Sequence, residues 1–206
     1  MKNFNRKEHW ENIYQEKQLN EVSWYQEIPE TSINIIRKLD LTKNDNIIDV
    51  GGGDSLLAEN LLNLNYKNIT VLDISEQVIF RAKKRLGKES EKIEWLVSDI
   101  TEFKPQKLYG LWHDRATFHF LTSDIDIMKY VKIVYQTLKN SGILIIGSFS
   151  KQGPKKCSGI DIKQYSEDEM ILIFKDYFKK IDSFKIDHIT PTGQKQNFIF
   201  CIFEKI

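Results

Sequence analysis

Cysteine is scarce in this 206-residue sequence, and so are long apolar runs and any excess of one charge. Cys157 and Cys201 lie far apart, outside any CxxC or His/Cys cluster, so we expect reduced thiols and no metal site. No apolar run approaches membrane-spanning length and the charged N-terminus lacks a signal-peptide core, so we expect a cytoplasmic protein with no membrane partner. The 30 basic and 29 acidic residues nearly cancel, which gives no indication of a nucleic-acid partner.

Short β-branched runs alternate with longer amphipathic stretches along the chain. Five such runs end at Val50, Asp73, Val97, Asp114 and Phe149. The stretches between them place apolar residues three and four positions apart, which is the helical period. This alternation predicts an α/β fold in which crossover helices connect a parallel sheet. The length and the 41% hydrophobic content favour a single domain over residues 1–206.

The two ends of the chain depart from this alternation. Near the C-terminus, KIDSFKIDHIT and NFIFCIFEK are separated only by the turn PTGQK, and strands joined by so few residues must be antiparallel. We therefore predict a mostly parallel sheet that is closed by a C-terminal antiparallel hairpin. Residues 1–45 should form one or two helices that cover the sheet edge as a lid and carry Trp10, Tyr14, Trp24 and Tyr25.

The first predicted strand runs into a glycine turn, in IIDVGGGDSLLAENLL. In an open parallel sheet, ligands bind beyond the carboxyl ends of the strands. Gly51, Gly52 and Gly53 have no Cβ and permit close approach of a ligand, and Asp49 can accept hydrogen bonds from backbone amides or a cationic amino group. A dinucleotide fingerprint fits poorly, because its third glycine would fall at Leu56.

Two further acids are predicted to stand at strand ends. Asp73, in VLDIS, ends the second strand, and a carboxylate there can accept hydrogen bonds from both hydroxyls of a ribose. Asp99, in VSDI after the third strand, can accept from the exocyclic amino group of an adenine. Each acid taken alone could merely cap the helix or turn that follows it. The three acids together with the glycine turn favour a ligand site.

At these residues the chain resembles the class I S-adenosylmethionine-dependent methyltransferases. DVGGGDS is similar to their glycine motif, VLDIS to their ribose-binding acidic motif and VSDI to their adenine-contacting segment. The resemblance spans roughly residues 45–150 and implies a Rossmann-like three-layer α/β/α sandwich of seven strands, with S-adenosylmethionine as the cofactor. Ser55 stands where the family often has a third glycine. The residues implied to bind the cofactor are Asp49, Gly51, Gly52, Gly53, Asp73, Ile74, Ser75, Asp99 and Ile100.

The fourth predicted strand runs into LWHDRATFHFLTS, where the acceptor site of this family usually lies. Titratable groups are concentrated there, and the candidate catalytic residues are His113, Asp114, Arg115 and His119. Either histidine could remove a proton from the acceptor, and Arg115 could bind a carboxylate or another anion. Alternatively, Asp114 and Arg115 pair to brace the loop, and His119 belongs to the core.

Other residues are candidates for contact with the acceptor: Trp24, Tyr25, Cys157 and Tyr165. The two N-terminal aromatic residues could close over a cationic sulfonium, although Trp and Tyr more often bury their rings for packing. Cys157 and Tyr165 lie in the polar segment after the fifth strand, where a substrate-covering loop is expected. A lone loop cysteine is more often incidental.

These motifs predict an enzyme that transfers a methyl group from S-adenosylmethionine to a small-molecule acceptor, a thiol or an anionic metabolite, by in-line displacement. The DR dipeptide resembles the thiol and thiopurine methyltransferases, whereas the overall layout is also similar to small protein-lysine methyltransferases. A protein acceptor therefore stays open, as does a non-catalytic module that binds an adenosyl ligand. A nicotinamide-dependent oxidoreductase is disfavoured by the incomplete glycine fingerprint. No feature of the sequence indicates the oligomeric state.

Overall fold

Helices and strands alternate through the centre of the chain, and strands dominate its C-terminal part. The computed structural model describes residues 4–206. In chain order the elements are α1 (Arg6–Glu16), α2 (Glu30–Lys38), β1 (Asn46–Val50), α3 (Leu57–Asn63), β2 (Asn68–Asp73), α4 (Glu76–Leu86), β3 (Ile93–Val97), β4 (Tyr109–Arg115), α5 (Asp124–Thr137), β5 (Leu138–Phe149), β6 (Lys156–Cys157), β7 (Ile160–Asp161), α6 (Glu167–Phe174), β8 (Phe178–Ile189) and β9 (Lys195–Lys205).

Seven of these strands form the main sheet, in the order β3-β2-β1-β4-β5-β9-β8. The first five are parallel to one another, and β9 pairs antiparallel with both β5 and β8. The order reverses beside β1, so the carboxyl ends of β1, β2 and β4 border a crevice of the kind that binds ligands. The predicted fold, a mostly parallel seven-stranded sheet closed by a C-terminal hairpin, is confirmed.

Two hydrophobic layers cover the two faces of the sheet. Successive side chains of a strand point to opposite faces. In β1, Ile47 packs with residues of α2, α3 and α4, whereas Ile48 packs with residues of α5 and α6. In β4, Leu111 lies in the same layer as Ile47, and Trp112 lies in the same layer as Ile48. Because the central strands are buried on both faces, they read in the sequence as continuous apolar runs.

Helix α1 lies across the N-terminal end of α4. The Glu11 carboxylate accepts hydrogen bonds from the Ser75 hydroxyl and the backbone amide of Glu76, each at 2.8 Å. Arg81 of α4 donates to the carbonyl oxygens of Tyr14, at 3.2 Å, and Lys17, at 2.6 Å. Both the middle and the C-terminal end of α1 are therefore attached to α4.

The helices of the described part of the chain are not candidates for membrane spans. No helix within residues 4–206 combines the length and the apolar character that crossing a bilayer requires.

Candidate functional site

A cavity opens at the carboxyl ends of the central strands. Its empty volume is about 810 Å³, including the open space at its mouth. The wall beside β2 and β3 includes Asp73, Ile74, Asp99 and Ile100. At the opposite end, beside β5 and β9, the wall includes Phe149, Cys157, Gln196 and Phe198.

The turn after β1 brings backbone into the cavity wall. Gly51 has a φ of +67°, and a Cβ at this position would lie 1.9 Å from the Thr117 hydroxyl. A Cβ on Gly53 would lie 2.3 Å from Val78 and 2.9 Å from the Asp73 carboxylate. Larger residues would therefore push the turn away from β2 and α4, and glycine keeps it close.

Asp73 ends β2 with a buried carboxylate on the cavity wall. It accepts hydrogen bonds from the backbone amides of Gly53, at 3.2 Å, and Ser75, at 3.1 Å. Burial raises the pKa of Asp73 to about 7, although both hydrogen bonds act in the opposite direction. A carboxylate fixed in this position can accept hydrogen bonds from ligand hydroxyls. Ser75 also caps α4, because its hydroxyl accepts from the Val78 amide at 3.2 Å.

Asp99 stands at the rim of the cavity after β3. Its Oδ1 accepts hydrogen bonds from the backbone amide and the hydroxyl of Thr101, each at 2.8 Å. Its Oδ2 accepts from Arg6 of α1 at 3.2 Å, and the same guanidinium pairs with Asp126 of α5. Asp99 thus caps the following turn, which was the alternative interpretation of this residue, and the carboxylate also anchors the start of α1.

Asp49 lies in a second cleft on the other side of the glycine turn. Its Oδ1 is 2.7 Å from Nδ1 of His113, whose Nε2 is 2.8 Å from the Ser32 hydroxyl of α2. Its Oδ2 is buried and has no hydrogen-bond partner among residues 4–206, and a Cβ on Gly52 would lie 2.4 Å from it. A buried carboxylate oxygen is costly unless a ligand or water satisfies it. The cleft has an empty volume of about 420 Å³ and shares three wall residues with the main cavity: Trp24, Gly51 and Arg115.

The candidate catalytic residues of β4 divide between the two faces of the sheet. His113 points towards Asp49 and α2, where both of its ring nitrogens are engaged. Asp114 points to the opposite face and accepts hydrogen bonds from the Tyr130 hydroxyl, at 2.7 Å, and the backbone amide of Thr117, at 2.9 Å. Burial raises the pKa of Asp114 to about 6. Asp114 therefore braces the turn after β4 through Thr117 and Tyr130 rather than through Arg115.

Arg115 lines both the cavity and the adjoining cleft. Its Nη1 donates to the carbonyl oxygen of Trp24 at 3.0 Å, and its guanidinium lies 5.0 Å from the ring centre of Phe198. Burial lowers the pKa of Arg115 to about 10, so the side chain stays protonated at pH 7. Its contacts are a carbonyl and an aromatic face rather than a carboxylate, and guanidinium N–H groups remain available for an anion.

His119 lies behind the cavity wall, stacked on Phe149 with ring centres 4.5 Å apart. The side chain is fully buried, and neither ring nitrogen has a partner in the described chain. Burial and, secondarily, the charge of Arg115 lower the pKa of His119 to about 3. The ring is consequently neutral at pH 7 and only a weak base.

The candidate acceptor-contacting residues are scattered. Trp24 and Cys157 line the cavity, and burial raises the pKa of the Cys157 thiol. Tyr25 lines a separate open groove beside β8. Tyr165 is fully buried in the core, stacked on Phe118 with ring centres 5.1 Å apart. Only the first two are therefore in a position to contact a ligand in the cavity.

Several wall residues were not among the sequence candidates, and Arg6, Gln196 and Phe198 are the ones that bear on the chemistry of the site. The alternation within β9 shows that Gln196 and Phe198 share a face. Nothing in the sequence indicates that this face meets the loop after β4, because that contact joins residues distant along the chain. Arg6 is one of many charged residues near the N-terminus, and nothing in the sequence distinguishes it as a site residue.

A protein-family model described as a methyltransferase domain matches residues 47–142. A malonyl-[acyl-carrier protein] O-methyltransferase from Ilyobacter polytropus is 31% identical over 107 residues, which are 52% of this chain and 40% of that protein. The eEF1A lysine and N-terminal methyltransferase of Mus musculus is 27% identical over 124 residues, 60% of this chain and 18% of that protein. The chain thus spans 40% or less of the length of these curated relatives.

A solved structure matches over nearly the whole chain. The N-methyltransferase NodS from Bradyrhizobium japonicum, in complex with S-adenosylhomocysteine, superimposes with a TM-score of 0.73 at 18% identity. The match covers 95% of this chain and 97% of that one. At this identity the likeness concerns the fold.

Proposed function

We propose that this chain, which belongs to the class I S-adenosylmethionine-dependent methyltransferases, transfers a methyl group to a small-molecule acceptor bound in the same cavity. The observation that carries the proposal is the arrangement of two buried carboxylates on either side of the Gly51 turn. Asp73 lines the cavity, and the orphaned Oδ2 of Asp49 borders the adjoining cleft. A nucleoside with a cationic amino acid tail matches this arrangement chemically.

The residues present fit an adenosyl sulfonium cofactor. Asp73 would accept from the ribose hydroxyls, Asp99 and Ile100 would border the adenine, and Asp49 would accept from the amino group. When bound, S-adenosylmethionine would supply a sulfonium-activated methyl group: the acceptor would attack the methyl carbon in line, the carbon–sulfur bond would break, and S-adenosylhomocysteine would be the leaving group. Gly51 would let the ligand approach the backbone.

The aromatic residues of the N-terminal segment would shield the reacting groups from water. Trp10 packs edge-to-face against Trp24 and Phe120, with ring centres 5.8 and 4.9 Å apart, and Tyr14 packs against the same Trp24. Aromatic faces also attract a cationic sulfonium. We therefore assign α1 and the segment that follows it the role of a lid within residues 1–45.

The chain's main contribution to the rate would be orientation of the acceptor. Holding two reactants in line can supply on the order of 7–11 kcal/mol. Arg115 would position the acceptor by binding an anionic group, so that the acceptor is a thiol or an anionic metabolite. His113 is occupied by Asp49 and Ser32, and His119 is a weak base, so an acceptor that is already deprotonated suits this site best.

A protein-lysine acceptor is the second candidate, and the similarity to the eEF1A lysine and N-terminal methyltransferase is what favours it. A lysine side chain would have to enter past the aromatic residues of the lid. The lining of Trp10, Tyr14 and Trp24 favours a small acceptor that the lid can close over.

Formation of S-adenosylhomocysteine tests the proposed function. The protein is incubated with S-adenosylmethionine in two sets of reactions. One set contains a panel of small thiols and carboxylates, and the other contains a cell protein extract. Product with small acceptors, lost in Asp73→Ala, would support the proposal. Transfer to protein alone would favour the second candidate, and tight binding without turnover on either panel would indicate a non-catalytic adenosyl-binding module.

A further inference from the structure

The end of the cavity beside β5 and β9, which we assign to the acceptor, contains a glutamine whose amide makes no contact with polar groups of the described chain. Gln196 of β9 is 9% exposed and lines the cavity. The neighbouring Asn197 donates to Asp187 at 2.7 Å, whereas the Gln196 amide enters no hydrogen bond among the described residues. The amide faces the cavity and is therefore free to bind a ligand there.

The strand geometry places this amide in the same part of the cavity wall as Arg115. Residues two apart in a strand share a face, so Gln196 and Phe198 lie on the same side of β9, and both line the cavity. The guanidinium of Arg115 lies 5.0 Å from the ring centre of Phe198. Arg115, Phe198 and Gln196 therefore form one continuous patch of the wall.

The chemistry of this patch selects a singly charged, planar anion. Arg115 offers N–H donors in a plane, and the amide nitrogen of Gln196 offers two more. A carboxylate has acceptor sites for both groups, and its single charge matches that of Arg115, since the other guanidinium of the wall, Arg6, is ion-paired with Asp99 and Asp126. A dianionic phosphate would leave a charge uncompensated against the aromatic wall, which is costly in a desolvated site.

The remaining wall indicates what carries the carboxylate. Phe149 and Phe198 pack against each other with ring centres 4.7 Å apart, and Trp24 and Phe120 border the same cavity. Flat aromatic faces pack well against a flat apolar ligand.

We propose that the acceptor is a small carboxylic acid with a flat apolar body, and that Gln196 and Arg115 together bind its carboxylate. Gln196 is thereby a specificity-determining residue. This inference rests on the proposed function, because the acceptor is defined as the second ligand of a cavity that also holds the cofactor.

Benzoate and benzamide are suitable probes, because they share a flat body and differ in charge. The protein saturated with S-adenosylhomocysteine is titrated with each by calorimetry. We expect benzoate to bind at least about tenfold more tightly than benzamide, since hydrogen bonds to charged groups contribute about 1.5–3 kcal/mol. Gln196→Leu should weaken benzoate binding about fivefold or more and leave S-adenosylhomocysteine affinity unchanged.

Two further variants make the test specific. Gln194→Leu, at an exposed position of the same hairpin, is the matched control and should not alter benzoate affinity. Gln196→Glu keeps the size of the side chain but repels a carboxylate, so it should reduce benzoate binding more than benzamide binding, which a purely structural role would not produce.

Equal affinity for the two probes, or no binding of either to the protein saturated with S-adenosylhomocysteine, would overturn the inference while leaving the proposed function intact. Unchanged benzoate affinity in both Gln196 variants would overturn the role of Gln196. Failure of S-adenosylhomocysteine itself to bind would instead overturn the proposed function, and the inference with it.

Discussion

The Nδ1 atom of His113 lies 2.7 Å from Oδ1 of Asp49, beneath the glycine turn and away from the main cavity. This contact fixes the Asp49 carboxylate and leaves its Oδ2 facing the cleft that we assign to the amino group of the cofactor. His113 would then be a positioning residue for the cofactor rather than a group that touches the acceptor.

His113→Leu should therefore destabilise the protein and weaken the binding of S-adenosylhomocysteine. Removing the ring leaves the buried carboxylate without its partner, which costs about 1–3 kcal/mol in the free energy of unfolding. Chemical denaturation and calorimetry measure the two effects. Ser32→Ala is the control: it removes only the outer hydrogen bond at Nε2 and should cost about 1 kcal/mol. Full cofactor affinity in His113→Leu would contradict the positioning role.

Asp73→Ala should abolish most cofactor affinity without unfolding the domain. Removing the carboxylate removes two hydrogen bonds from ribose hydroxyls, which should raise the Kd about 100-fold or more. Calorimetric titration with S-adenosylhomocysteine measures the loss, and circular dichroism checks the fold. Unchanged affinity in a folded variant would refute the assignment of Asp73 to the cofactor.

The raised pKa of Asp73, about 7 against an ordinary value of 3.8, predicts two opposite pH dependences. The folded protein binds this proton more tightly than the unfolded chain does, so the contribution of Asp73 to the free energy of unfolding should fall as the pH rises from about 4 to 7. Ribose hydroxyls donate best to the ionised carboxylate. Cofactor affinity should consequently rise as the pH passes through about 7, by at most about tenfold per pH unit.

Asp73→Asn is the control for both pH effects, because it cannot ionise. Other ionisable groups near Asp73 are Asp54, which is ion-paired with Arg81, and Tyr14, whose pKa is raised far above its ordinary value by burial. A pH profile of the Asn variant identical to that of the wild type would assign the dependence to those neighbours.

Arg115→Ala should spare cofactor binding and reduce turnover. The guanidinium is assigned to the acceptor's anionic group, so kcat/KM should fall by about 10- to 100-fold, while the Kd of S-adenosylhomocysteine stays within about twofold of the wild-type value. Steady-state kinetics with any acceptor found in the panel, together with calorimetry, separates the two effects. A large loss of cofactor affinity would instead place Arg115 at the cofactor.

Arg6→Ala should loosen α1, which we propose as part of a lid over the cavity. Arg6 joins that helix to Asp99 and Asp126, and a partly exposed ion-pair network of this kind is worth about 1 kcal/mol. S-adenosylhomocysteine should dissociate about two- to fivefold faster, as followed by stopped-flow fluorescence of Trp10 and Trp24. Lys7→Ala breaks an exposed pair with Glu76 on the same helix and should leave the rate unchanged. Equal rates in both variants would contradict the lid.

The sheet and the carboxylates at its edge could be predicted from the sequence because they depend on local patterns. Ile47, Ile48 and Val50 are buried on both faces of β1, which produces the apolar run that marks the strand. The end of the apolar run then shows, to within a position or two, which residue ends the strand. Asp49 and Asp73 accordingly occupy the strand positions that the sequence indicates. The cytoplasmic location stays a prediction.

The arrangement after β4 could be predicted only in part. Adjacent residues of a strand face opposite sides, so His113 and Asp114 could not both point to one acceptor, and this signal is present in the sequence. The patch formed by Arg115 and Gln196 is different in kind. It depends on the packing of β9 against β5, which joins segments that no local pattern connects.

Calorimetric titration of the purified protein with S-adenosylmethionine, S-adenosylhomocysteine and NAD in parallel tests the central claim most directly. We expect both adenosyl compounds to bind at a single site, and NAD not to bind, because the glycine turn lacks a dinucleotide fingerprint. Binding of NAD, or failure of both adenosyl compounds to bind a folded protein, would contradict the claim that this cavity holds a methyl donor.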